Sequence, residues 1–333
     1  MRAERRDYSG KRMSCDYTIF YKSLLSASDA PQEGWDVFIS AFNPSDRVAC
    51  VFGRICATRK IWVVHQEYEF LDDEMPREGE VIRPKGSNEA EFIAELFSTA
   101  HLKELAGMRV CVDITGFMRP HLMFLIKWLQ RHGATVVDVL YSEPVSYRKR
   151  EATQFSRGSI DVVRQVAGFE GVASRDTAND LLIVGSGYDD RLIAKVAESK
   201  DKAEKIQVFG LPSLRADMYQ QNLLRAHRAA NAVGESHQAD QRRYYAPAND
   251  PFATATVLSE IVDRRNKRRQ ITNLYLSPLA TKPQALGFVL FFIGERENTN
   301  TSIIFPFSSA YEKETGVGLS RTWRYTVEFP LEA

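Results

Sequence analysis

Gly185-Ser186-Gly187-Tyr188-Asp189-Asp190-Arg191-Leu192, followed by Ile206-Gln207-Val208-Phe209, decides the fold once it is set beside Ala41-Phe42-Asn43-Pro44-Ser45-Asp46-Arg47-Val48 and Ile61-Trp62-Val63-Val64. Both stretches read as a small-residue turn, an Asp-Arg pair opening a helix, and then a buried strand. A second pair recurs later in each half: Cys111-Val112-Asp113-Ile114-Thr115-Gly116-Phe117-Met118-Arg119-Pro120 and Leu274-Tyr275-Leu276-Ser277-Pro278-Leu279-Ala280-Thr281-Lys282-Pro283. Each is a short strand, a small-polar turn, a cation followed by Pro, and an apolar helix. The chain therefore reads as two divergent copies of one unit: a first over 15–150, a linker over 151–177 and a second over 178–333.

Around these junctions the periodicity alternates between strand and helix. Val48, Val51, Phe52 and Ile55 recur at helical spacing, and Ser45 and Asp46 supply N-cap chemistry. In the first half strands are expected over 16–21, 36–40, 61–64, 109–114 and 135–141, helices over 89–105 and 120–132, and a loop over 71–88. In the second half strands are expected over 181–184, 206–209, 271–277, 303–306 and 323–329, with helices over 190–198, 216–232, 252–264 and 283–293. Strands alternating with helices imply βαβ units. The expected class is α/β, with two Rossmann-like units, pseudo-duplicated, each on a mainly parallel sheet.

A length of 333 residues suits two domains, and 44% apolar residues suffice for two cores. The net charge of +1 is not the footprint of a general nucleic-acid binder, although it leaves room for a local basic pocket. No run approaches the roughly 18 apolar residues of a membrane span. The polar start carries no signal-peptide core, and the four cysteines form no CxxC pair. Free thiols and a cytoplasmic location are the expectation, with no membrane partner.

Ligands of open parallel sheets bind beyond the carboxyl ends of the strands, where helix N-termini favour anions. The four motifs all lie at such junctions. The candidate ligand contacts are therefore Asp46, Arg47, Thr115, Gly116 and Arg119 in the first copy. Their counterparts in the second copy are Gly185, Gly187, Tyr188, Asp190, Arg191, Ser277, Thr281 and Lys282. Hydroxyls and a cation beside a helix start suit phosphate recognition. Each junction alone also reads as an ordinary capped helix with Pro in its first turn. The loop from Tyr141 to Arg150 mixes aromatics with cations and suits nucleotide stacking and phosphate pairing, or an ordinary inter-layer connection. Arg264, Arg265, Lys267, Arg268 and Arg269 read as a solvated helix end, with a nucleic-acid contact as the competing reading. Asp190 stands where GxGxxG needs its third glycine, and Walker A, GxSxG and HExxH patterns are missing. His65 and His121 read as structural, and Asp72-Asp73-Glu74 as a solvated turn. No catalytic set or metal is expected, and the ligand is defined only as nucleotide-type.

These motifs resemble those of the CRISPR-associated Rossmann-fold (CARF) sensors. Gly187-Tyr188-Asp189-Asp190-Arg191 with Lys205-Ile206-Gln207-Val208-Phe209 is similar to that family's aromatic-Asp-Arg motif and the strand after it. Phe42-Asn43-Pro44-Ser45-Asp46-Arg47 with Lys60-Ile61-Trp62-Val63 is similar to the same set. Asp113-Ile114-Thr115-Gly116 and Thr281-Lys282 look like parts of its later motif. Two such units in one chain also resemble the SAVED sensors of bacterial anti-phage systems. The resemblance covers four short stretches. It departs at Phe117, Met118 and Arg119, and at Ser277-Pro278-Leu279-Ala280, where the family has glycines, a Lys and an acidic-Thr-Gly run. It implies a cyclic oligonucleotide or related nucleotide between the units and action through a partner effector protein in anti-phage defence. The competing expectations are an enzyme acting on a nucleotide or phosphorylated metabolite at the same edge, and a structural subunit with degenerate sites. Trp35-Asp36-Val37-Phe38-Ile39-Ser40 is also similar to the opening strand of a TIR domain, but the residues after it do not continue that pattern.

Overall fold

The structure, a computed structural model, describes residues 15–25, 34–147, 156–187, 189–215, 243–311, 313 and 316–329, together with Met218, Gln220 and Leu224. It is an α/β protein with two mixed, mainly parallel sheets of seven and six strands. The first half runs β1 (Tyr21–Leu25), β2 (Trp35–Ala41), α1 (Asp46–Arg54), β3 (Ala57–Val63), β4 (Glu80–Ile82), α2 (Glu89–Thr99), β5 (Val110–Asp113), α3 (Arg119–Arg131), β6 (Val136–Glu143) and β7 (Ser146–Tyr147). The second runs β8 (Ser156–Gln165), β9 (Leu181–Ser186), α4 (Asp190–Ser199), β10 (Glu204–Gly210), β11 (Arg243–Ala246), α5 (Pro251–Arg268), β12 (Leu274–Pro278), α6 (Lys282–Phe291), β13 (Thr301–Tyr311), β14 (Gly316–Val317) and β15 (Arg321–Glu328).

The sheet orders are β1-β15-β6-β5-β2-β3-β4 and β11-β10-β9-β12-β13-β8. The parallel runs β4-β3-β2-β5-β6 and β11-β10-β9-β12-β13 have the same topology, so the repeated motifs mark repeated Rossmann-like units. In each, strand order reverses between the first and fourth strands of the unit, β2 and β5 in one and β9 and β12 in the other.

The inner strands β2, β5, β6, β9, β10 and β12 are buried on both faces, with period-two alternation between layers. Val37, Ile39 and Ala41 of β2, with Ile61 and Val63 of β3, face the large core. Phe38 and Trp62 face the opposite layer, where α1 packs Val48, Val51 and Phe52. The large core continues through α3 and α6, which contact each other, into the second sheet.

Each sheet is completed by the other half of the chain. After β6 the chain crosses over and lays β8 antiparallel to β13. After β13 it crosses back and lays β15 antiparallel to β6, and β1 pairs outside β15. The two crossings pair with each other through β7 and β14. Residues 151–177, expected as a linker, thus contain a strand of the second sheet, and 323–329, expected within the second unit, form an inner strand of the first. Buried ion pairs select these partners. Asp138 on β6 accepts from Arg324 Nε and Nη2 at 2.9 and 2.7 Å, from Thr326 Oγ1 at 2.8 Å and from Trp35 Nε1 at 2.8 Å. Glu89 at the start of α2 accepts two bonds from Arg164 of β8, at 2.9 and 2.8 Å, and one from the Ala167 N–H at 2.7 Å.

Other expectations shift locally. The strand expected over 16–21 starts only at Tyr21, because the Asp16 carboxylate accepts from the Thr18 N–H and hydroxyl and holds a 3-10 turn over Tyr17–Ile19. The 71–88 loop contains β4, an edge strand too short to carry a pattern, and β11 adds a further short edge strand where no strand is expected from the sequence. Most of the helix expected over 216–232 lies outside the described residues. No helix among the described residues is long and apolar enough to cross a membrane.

Asp138→Ala removes the acceptor of four donors, while Arg324, 34% exposed, rehydrates in part. The expected loss is about 2–4 kcal/mol by denaturant titration. In hydrogen exchange the amides of β15 should lose protection before those of β9.

Candidate functional site

A cleft opens where the order reversals of the two sheets meet. Its walls are the turn after β2 (Asn43, Arg47), the β5–α3 turn (Thr115, Phe117, Met118, Arg119), the turn after β9 (Ser186, Gly187) and the β12–α6 turn (Leu279, Ala280, Thr281, Lys282). All four are carboxyl-end junctions of the kind that binds ligands in open α/β sheets.

Arg47, Thr115, Arg119, Gly187, Thr281 and Lys282 line this cleft. Gly116 lies directly under it, because the Tyr68 hydroxyl, itself in the lining, donates to the Gly116 carbonyl at 3.3 Å. The other candidates are placed elsewhere. Asp46 is exposed on the first turn of α1. Gly185 is a core position of β9, packed on Phe288. Ser277 is fully buried in β12, its hydroxyl unpartnered among the described residues. Asp190 and Arg191 open α4 outside the cleft lining. Asp189, not Asp190, caps that helix, and Arg191, 46% exposed, lies 3.7 Å from the Asp189 carboxylate. Tyr188 and residues 148–150 of the aromatic-cationic loop lie outside the described residues, although Tyr141 at its start lines the cleft. The Arg264–Arg269 run forms the end of α5, where Arg265 pairs with Glu204 at 2.6 Å.

The glycines explain why the two copies differ. A Cβ at Gly116 would lie 2.0 Å from the Ala41 carbonyl oxygen, and one at Gly187 would lie 2.2 Å from that of Leu279. Ala41 ends β2 and Leu279 follows β12, so each unit needs one close approach between the turns after its first and fourth strands. In the first unit the glycine sits on the fourth-strand turn, and in the second on the first-strand turn. Gly116 and Leu279 occupy matching positions in the two turns, so the Ser277-Pro278-Leu279-Ala280 departure is sterically compensated by Gly187.

Arg119 and Lys282 hold matching positions at the first turns of α3 and α6, and each reaches across to the other unit. Arg119 Nε donates to the Ala280 carbonyl at 2.9 Å, with a second bond from Nη2. Lys282 Nζ donates to the Thr115 carbonyl. A cation at a helix N-terminus opposes the helix dipole. Four cations line the cleft, Arg47, Arg119, Lys282 and Lys313, and no Asp or Glu does among the described residues. Burial, and then the Arg47 and Arg119 charges, hold the Lys282 ammonium well below the ordinary lysine range. The nearest compensation is Asp113, buried below the floor, where it accepts from the Thr115 N–H at 2.9 Å and Ser40 Oγ at 3.2 Å. Burial raises the Asp113 pKa. Arg47 donates through Nη1 to the Ser142 carbonyl at 3.1 Å, while its buried Nε has no partner among the described residues.

Several cleft residues escaped the sequence reading. Tyr68 sits in a 3-10 turn after β3 and has no repeat counterpart among the motifs. Tyr311 ends β13 and Lys313 belongs to the return crossing after it, where Lys313 pairs with Glu74 at 2.7 Å. Asn43 stood in a quoted motif without being singled out, and it accepts the Ser45 N–H and donates to the Lys313 carbonyl. Behind Met118 lies a histidine pair kept neutral by burial. His65 accepts the Met118 N–H at 3.4 Å and lies well below the usual imidazole pKa, and His121 is lowered to about 4.

Because Lys282 is lowered in the folded state, the unfolded chain binds more protons between that lowered value and the ordinary lysine range, so stability rises with pH across the window. Lys282→Met should flatten this rise. Thermal denaturation of both proteins against pH measures it. No protein-family model matches the chain, nor does any curated protein or solved structure.

Proposed function

We propose that this chain is a ligand sensor that binds a nucleotide-type anion in the cleft between its two Rossmann-like units and acts through a partner effector protein. One observation carries the reading: four cations and no carboxylate line the described part of a cleft that receives the N-termini of α3 and α6. An anion there offsets mutual cation repulsion and satisfies two helix dipoles at once. Tyr68, Tyr141 and Tyr311 supply aromatic faces and hydroxyls in the same cleft, which suits a base and sugar. The motif resemblance to CARF and SAVED sensors points to the same ligand class, cyclic oligonucleotides included, and to a role in anti-phage defence. Turnover of a nucleotide in this cleft is the competing reading, and lowered Lys282 is the group that would serve it.

Differential scanning fluorimetry with linear and cyclic nucleotides, followed by chromatography of the recovered ligand, tests the proposal. The expected result is a rise in melting temperature with the nucleotide recovered intact. No shift with any nucleotide overturns it, and a released product replaces it with the enzyme reading. Affinity should fall with added salt. It should also fall as pH rises from the lowered Lys282 value towards the ordinary lysine range, since the anion favours the protonated amine. Titration calorimetry in buffers of different ionisation enthalpy would register the accompanying proton uptake.

A further inference from the structure

Lys282 sits in surroundings unlike those of a lysine built for an ion pair. Its Nζ lies in the cleft and donates to the Thr115 carbonyl, a neutral acceptor. Lys127, another largely buried lysine, pairs instead with the Glu297 carboxylate at 3.2 Å. Lys282 has no carboxylate partner among the described residues. Asp113, the acid that acts on it, is buried below the floor and accepts from the Thr115 N–H and Ser40 Oγ. Its other charged neighbours are the guanidiniums of Arg47 and Arg119.

Around this amine the cleft holds hydrogen-bond donors and positive charge in surplus. No Asp or Glu lines it among the described residues. Arg47 Nε is buried without a partner among them, while its Nη1 goes to the Ser142 carbonyl. Arg119 reaches the Ala280 carbonyl, two residues before Lys282. An amine desolvated beside other cations keeps its lone pair and is a nucleophile. The electrophile that suits such a place is small and uncharged on entry, and anionic once joined to the nitrogen. Carbon dioxide meets both conditions. It turns an amine into a carbamate, whose two oxygens accept charge-assisted bonds from guanidiniums. The N–H that remains on the nitrogen can still donate to the Thr115 carbonyl.

We infer that Lys282 is a carbon dioxide-binding site, carboxylated at Nζ to a carbamate that Arg47 and Arg119 hold. The nitrogen lone pair forms a bond to the carbon of carbon dioxide, one C=O π pair moves onto oxygen, and Nζ releases one proton to solvent. Nothing is oxidised or reduced. One of the four basic side chains that line the cleft thereby becomes an anion, so carbon dioxide sets how strongly the cleft draws any further anion. This site stands whether or not that further anion is a nucleotide.

The test equilibrates the full chain with isotopically labelled bicarbonate, fixes any carbamate as its ester with a trialkyloxonium reagent, and maps the label by peptide mass spectrometry. The label is expected on Lys282 and on no other lysine in comparable yield. Lys282→Arg keeps the positive charge but cannot be carboxylated there, and should lose the label. Arg47→Met should lower the yield at Lys282 about tenfold. Melting curves establish that each variant is folded, and the wild-type peptide map decides the site should a variant unfold. Label absent from Lys282, or spread over exposed lysines as heavily as over Lys282, overturns the inference. Undiminished label in folded Arg47→Met overturns the guanidinium clamp. None of these outcomes bears on nucleotide binding, which fluorimetry in carbon dioxide-free buffer tests separately.

Discussion

The structure turns on a reciprocal reach of two cations across the seam between the units. Arg119 and Lys282 stand at the ends of α3 and α6 where the helix dipole repels positive charge, and both are drawn into a cleft with other cations. What holds them is the backbone carbonyl of the opposite unit, Ala280 for Arg119 and Thr115 for Lys282. Those carbonyls belong to the very turns that form the cleft. The groups that would greet an anion are thus the same groups that fasten the units together, so ligand affinity and inter-unit geometry draw on one set of bonds.

Around that seam the chain is braced by acids buried at the strand exchange. Glu89 shows how the balance is struck. Burial raises its pKa, but the Arg164 bonds and the backbone N–H groups outweigh this and leave it below the ordinary value. Its stabilising contribution is therefore present at neutral pH and is lost as pH falls through the lowered value. Asp138 and Glu143 do the matching work on β15, with Glu143 accepting from Arg321 and Trp323, both at 2.6 Å. The acids are buried at the start of α2 and on the inner strand β6, and the arginines are on the crossing strands, where their outer faces stay hydrated.

Much of this was legible in the sequence because strand-to-helix junctions are local. Arg47, Thr115, Arg119, Thr281 and Lys282 were readable from small residues, a cation and a proline at fixed offsets, and the alternation of buried runs gave the parallel sheets. Illegible were the features set by long-range choice. Nothing near Trp323 says that its strand will pair with β6, because that choice lies in charges almost two hundred residues upstream, at Asp138 and Glu143. Tyr68, Tyr311 and Lys313 reach the cleft from turns and crossings without a motif. Arg191 misled because sequence shows an Asp-Arg pair but not which Asp will cap the helix. With Asp189 as the cap, the arginine is turned to the surface.

The paired crossings through β7 and β14 have a further consequence. Each half supplies an antiparallel strand to the sheet of the other, so the molecule has the connectivity of a strand-swapped homodimer whose two chains have been spliced into one. In a true homodimer every substitution appears on both walls of a shared cleft. Splicing removes that rule. One wall can keep its arginine while the other turns its arginine outwards, and a glycine can move from one turn to its neighbour in one copy alone. The chain retains the interlocked build of a dimer and gains what a dimer's own symmetry forbids, a groove with a front and a back.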